Sequence, residues 1–121
     1  MSTTILIALL IGAVAGIIAA LCGVGGGIVM VPAMVMFLGM PQKEAVATSL
    51  GAIILIALAG SWKNHTNALI DWPVAIACAV AGAIVAWFAA DLLKVMSNEW
   101  LTRIFSILMI LVGFRMLFMR T

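Results

Sequence analysis

A chain of 121 residues that is 67% hydrophobic and 8% charged lies far from the balance of a soluble domain and reads as an all-α integral membrane protein. At roughly 20 residues per crossing of ~30 Å of hydrocarbon, it has room for four or five crossings and none for a soluble domain. The net charge of +2 comes from scattered basic residues, which argues against a nucleic-acid partner or a polybasic lipid-binding face.

The opening stretch lacks the basic flank of a signal peptide and is longer than its usual apolar region, so it reads as a retained first helix. The first apolar run extends from about Thr4 to Leu38; as a straight helix it would measure ~50 Å, too long for one crossing and too short for two. The economical solution is a first helix from about Thr4 to Leu21, a non-helical turn at Gly23 to Gly27, and a shorter helix to Leu38, with its direction left open. Gly39 then caps the segment and Pro41 starts the next. A second helix follows from about Gln42 to Trp62, and Lys63 to Asp71 reads as a polar loop. Asp71 caps a third helix that tolerates Pro73 in its first turn and runs to about Ala90. Ser97 or Asn98 caps a fourth, running to about Phe118, with Glu99 favoured at its positive end. Trp62, Trp72 and Trp100 fall at helix ends, as interfacial indoles do, and Trp87 lies near one.

Small residues suggest the packing. Gly12 and Gly16 form a GxxxG pair, Ala15 and Ala19 a second row, and the third helix repeats Ala75, Ala79, Ala83 and Gly82, Ala86, Ala90 at four-residue spacing. Such rows let backbones approach closely, so the first three helices are expected to form the core. The fourth, rich in Leu, Ile, Met and Phe, is expected to face lipid or a partner.

The basic residues give no orientation. Lys63, Arg115 and Arg120 fall on one side and Lys43, Lys94 and Arg103 on the other, whichever way the first segment runs. Balanced charge permits insertion in both orientations, and two opposed copies would form an inverted pair with a site at the shared midplane.

The glycine turn is the candidate site. Inside hydrocarbon a broken helix is tolerated only where it is buried in protein or lines a cavity. Gly25, Gly26 and Gly27 allow close approach to the main chain, and free N–H groups at the start of the following helix suit an anion. Thr48 and Ser49 would add hydroxyl donors, while Gly23 and Pro32 shape the turn. Cys22 flanks it, though a buried cysteine usually acts as a small hydrophobe. Lys63, Asn64 and His65 are candidates for an anion entrance or, more plainly, a solvated loop; Arg115 reads as snorkelling to the headgroups. Asp91 and Lys94 read as an end-of-helix pair. Cys22 and Cys78 stand in no metal-ligand or CxxC spacing. No metal or cofactor is expected, no P-loop is present, and no nucleophile and base at usable spacing suggest an enzyme.

The segment GAVAGIIAALCGVGGGIVMVPAMVMFLGMPQKEAVATSLGAI resembles the repeat motif of the TauE/SafE family of sulfite exporters. The motif elements fall at Gly12, Gly16, Gly23, Gly25 to Gly27, Val31-Pro32, Gly39 and Ala45 through Thr48-Ser49-Leu50. The resemblance implies a bacterial inner-membrane transporter for sulfite, sulfonates or related organic anions, working by alternating access. Family members usually carry two such repeats. This chain holds one, which implies pairing as a homodimer, possibly antiparallel, or with a related half-size subunit. The motif positions assign substrate binding to Gly25, Gly26, Gly27, Thr48 and Ser49. Two other classes are compatible with size and charge: a dual-topology multidrug exporter, which requires a membrane-embedded carboxylate that the sequence lacks, and a non-transporting accessory subunit.

Overall fold

A computed structural model describes residues 2–119, all of whose regular structure is helical. Five helices follow one another: α1 (Ser2–Cys22), α2 (Gly27–Leu38), α3 (Gln42–Thr66), α4 (Trp72–Val95) and α5 (Asn98–Phe118). Four of them, all but α2, are long and apolar enough to cross a membrane.

The apolar run from 4 to 38 forms two helices side by side rather than one first helix with an interruption. Gly23, Gly25 and Gly26 all adopt positive φ, at 70°, 71° and 78°, a region that carries a steric penalty for residues with a Cβ. Three such residues within four positions reverse the chain, so that Gly26 lies against Ala15, about two turns back along α1. From there α2 runs for 12 residues, about 18 Å, too short to cross alone. Gly39, at φ 65°, caps it in the left-handed conformation, and its N–H donates to the Met34 carbonyl. The short connection through Pro41 then sends α3 back along α2, bringing Ile53 beside Gly25 and Gly27.

These three helices enclose the core: Ile11 and Ala15 from α1, Met30, Val31 and Met34 from α2, and Ala45 from α3. Pro32 sits inside α2 rather than in irregular backbone. It leaves the preceding Gly turn, at least five residues away, to be shaped by the glycines themselves. The packing row of α1 is Ile11 and Ala15, whereas Gly12 and Gly16 meet no atom at the position of an added Cβ.

The helix-end chemistry is local. Asp71 accepts from the Val74 N–H at 3.2 Å with Pro73 in the first turn of α4, and Ser97 accepts from the Trp100 N–H at 3.3 Å. Two ends lie further on than expected. α3 continues to Thr66, whose hydroxyl donates to the Lys63 carbonyl at 2.6 Å, and the reversal falls at Asn67 and Ala68, the latter at φ 57°. α4 continues to Val95, with the Asp91–Lys94 ion pair, 3.3 Å, on its last turns.

The expectation that the third apolar stretch joins the core is overturned: α4 has no buried residue. Its alanine and glycine rows remain exposed because close packing needs a second backbone alongside, and α1–α3 already satisfy one another. α5 has no buried residue either, yet it is tied to α3 at one end. The Lys43 N–H donates to Asn98 Oδ1 at 3.1 Å, and Lys43 Nζ donates to the Lys94 carbonyl at 3.3 Å. Lys43, Lys94 and the start of α5, with Arg103, therefore share one end of the bundle, and Lys63 lies at the other. Arg120 lies outside the described residues.

Candidate functional site

Above the glycine turn, α1 and α3 diverge and leave a cavity of about 470 Å³. Its α1 wall is Gly16, Ala19 and Ala20; its α3 wall includes Ala57, Gly60, Ser61 and Asn64; Gly23 and Gly25 of the turn complete it. Every α1 residue here is Gly or Ala, so the space exists because side chains that would fill it are absent. Ala57, Gly60, Ser61 and Asn64 recur at the i, i+3, i+4, i+7 spacing of one helical face, and that face carries the polar atoms.

The turn supplies a second kind of group. α2 begins after Gly26 with no side-chain cap. The carbonyl of Gly26 is used, accepting from the N–H groups of Val29 and Met30 at 3.1 and 2.8 Å. Among the described residues, the N–H groups of Gly25, Gly26, Gly27 and Ile28 find no acceptor. In hydrocarbon, unpaired backbone donors of this kind cost several kcal/mol each, so they require water or a ligand. Converging N–H groups at a helix start carry a partial positive charge and are suited to an anion.

The close fit beneath the turn fixes these donors. A Cβ at Gly26 would stand 3.0 Å from the Ala15 carbonyl oxygen, and one at Gly27 would stand 3.2 Å from the Ile53 side chain. Gly25 tolerates ordinary contact with Ile53 at 3.5 Å but holds φ at 71°.

Of the other residues singled out from sequence, Gly23 and Asn64 line the cavity. Thr48 and Ser49 do not. Ser49 is buried, its hydroxyl donating to the Val46 carbonyl at 2.8 Å, and Thr48 faces outward. Cys22 and Cys78 are exposed free thiols. Lys63 contributes its carbonyl to the end of α3. His65 closes the α3–α4 hairpin: Trp72 Nε1–H donates to His65 Nδ1 at 3.2 Å, with the rings edge to face at 5.4 Å. Ser61 and Gly60 also line the cavity, and neither stands out in the sequence. The small-and-polar face running from Ala57 to Asn64 was the available signal.

Four membrane-length helices and one short one, with a small cavity beside the glycine turn, define an all-α integral membrane protein. The chain belongs to the sulfite exporter TauE/SafE family, which it matches over residues 4–121. It is similar to the probable membrane transporter protein YunE of Bacillus subtilis, 35% identical over 109 residues, a match covering 87% of this chain and 38% of that protein. It is also similar to a probable membrane transporter protein of Haemophilus influenzae, 37% identical over 79 residues, covering 60% of this chain and 30% of the relative. The chain thus spans well under half the length of these curated relatives. No solved structure matches it.

Proposed function

We propose that this chain is one repeat of a secondary transporter for small anions, with the cavity over the Gly25–Gly27 turn as its half of the substrate path. The observation that carries the reading is the turn itself: Gly23 and Gly25 line that cavity, and the N–H groups from Gly25 to Ile28 find no acceptor among the described residues. Ser61 and Asn64 supply side-chain polarity along the same path. The four carboxylates, Glu44, Asp71, Asp91 and Glu99, all lie at or near helix ends. A cation exporter that holds its cargo on a membrane-embedded carboxylate therefore finds no support.

Sulfite, sulfonates and related sulfur-containing or organic anions are the proposed cargo, a choice that follows the family. Two such repeats in opposed orientation, from a second copy or a related half, would bring two re-entrant turns to a common midplane and rock around them, as in inverted-repeat transporters. The exposed rows of α4 and the cavity's opening between α1 and α3 support a missing second half. In that arrangement Thr48, which faces away from the cavity here, would reach the site only across the interface, and Ser49 would hold the wall of the turn.

The test is uptake of labelled sulfite and of a small organic sulfonate into liposomes holding the purified chain, with empty liposomes as control. Saturable uptake that Gly60→Leu abolishes supports the reading, because an added Cβ at Gly60 meets no atom within 4 Å and the larger side chain fills the cavity without disturbing the turn. Uptake unaffected by that substitution would place the path elsewhere.

A further inference from the structure

At the opposite end of α3 from the cavity, a second cleft of about 470 Å³ opens between the first turns of α3 and α5. Gln42, Asn98, Glu99, Thr102 and Arg103 line it, with Met40 and Pro41 from the α2–α3 connection. Two helix starts converge here. Pro41 gives α3 no side-chain cap, and α3 borrows one across the bundle from Asn98, which accepts from the Lys43 N–H.

Gln42 is the anomaly in this cleft. Only 6% of its surface is exposed and its side-chain amide makes no hydrogen bond among the described residues; since no side-chain polar atom among them is both sealed from solvent and unpaired, that amide opens onto the cleft. Its N–H and C=O groups are therefore free for a group bound in the cleft. Two other polar groups nearby are paired within the chain: Thr102 donates to the Asn98 carbonyl at 2.8 Å, and Lys43 Nζ to the Lys94 carbonyl. Arg103 faces the cleft with no ion pair among the described residues. Glu99 opposes an anion there. Against it and Glu44 in the first turn of α3 stand Arg103, the Lys43 ammonium at the same end, and the positive ends of two helices.

We propose that this cleft binds a phosphate group, held by the Arg103 guanidinium and the Gln42 amide at the convergence of the α3 and α5 N-termini. An arginine offers phosphate a forked pair of donors, and the amide N–H of Gln42 completes the contact from the buried side. Trp100, exposed beside the cleft on α5, and Lys94 mark the level of the headgroups, where an anionic phospholipid presents such a group. A free phosphate offers the same chemistry. The inference is independent of the transport reading, since the cleft and the cavity lie at opposite ends of a helix about 37 Å long.

The test is thermal unfolding of the purified chain in mixed micelles at constant ionic strength, with phosphatidylglycerol, phosphatidylcholine or inorganic phosphate added in turn. The midpoint rises by several degrees with phosphatidylglycerol over phosphatidylcholine, and both Arg103→Gln and Gln42→Leu remove the difference. Glu99→Gln enlarges it. In phosphatidylcholine alone, Gln42→Leu is about as stable as the parent, because the amide has no hydrogen-bond partner within the chain to lose. A rise with inorganic phosphate as large as that with the lipid identifies the free anion as the source. Absence of any rise, or an equal rise in the two variants, overturns the site. A destabilised Gln42→Leu in phosphatidylcholine overturns it as well, since the amide would then have a structural partner.

Discussion

Two regions of this protein are built from the same small residues and use them in opposite ways. In the α1–α3 unit, Ala15 is fully buried and Gly26 is pressed against its carbonyl, so each missing atom is occupied by a neighbour's backbone. On α4, Ala75, Ala79, Ala83 and Gly82 repeat at helical spacing with nothing buried and nothing near the Gly82 Cβ position. A small-residue row is thus permission for close approach. Whether the approach occurs depends on a second backbone being present. The cavity is an intermediate case: Gly16 and Gly60 face each other's helices across open space.

The largest effect that would sharpen this comparison is expected at the turn. Gly26→Val forces a β-branched residue to φ 78° against the Ala15 carbonyl. The left-handed conformation alone costs about 1–2 kcal/mol and the clash adds to it, so folded protein should be largely lost on size-exclusion after extraction. Next, Ala15→Leu overfills the same contact from the other side and should destabilise by about 1–3 kcal/mol, read as a lowered unfolding midpoint. On α4 the same enlargement should behave differently. Ala83→Leu is expected to leave the midpoint of the dissociated chain within about 0.5 kcal/mol while weakening pairing with a second repeat, seen by light scattering. An equal loss of stability in Ala83→Leu and Ala15→Leu would break the comparison, since α4 would then be packed within its own chain. The smallest effect is expected at the tie between the regions, where Asn98→Ala removes the borrowed cap on α3 and should cost about 1 kcal/mol.

What the sequence made legible was chemistry confined to a few neighbouring residues. Gly39 as a left-handed cap, Asp71 and Ser97 as N-caps, and Pro73 in a first turn each depend on contacts within one helical turn, and each lies where local rules put it. Asn98 shows the limit: an equally good local cap, it serves another helix instead. The end of α3 was missed because Thr66 satisfies a carbonyl from within the polar stretch that read as loop. On the turn itself, the glycines singled out from the sequence lie at or beside the proposed cavity, Gly23 and Gly25 among its lining. On α3 the sequence pointed to Asn64, which lines the cavity, and not to Ser61 beside it, because choosing between the face of Thr48 and Ser49 and that of Ser61 and Asn64 requires knowing which face meets α1. That choice is made by the reversal at Gly23–Gly26, which brings Ile53 onto the turn and rotates the Asn64 face toward the cavity.

The central claim is that the space above the glycine turn receives an anion, and thiol protection tests it most directly. In a Cys22→Ser, Cys78→Ser background, Gly60→Cys puts one thiol on the cavity wall, and its rate of modification by a small water-soluble maleimide is measured with rising sulfite or ethanesulfonate. The account predicts ready labelling that slows saturably with one of these anions and not with chloride at equal ionic strength. Ready labelling that no anion slows would contradict it.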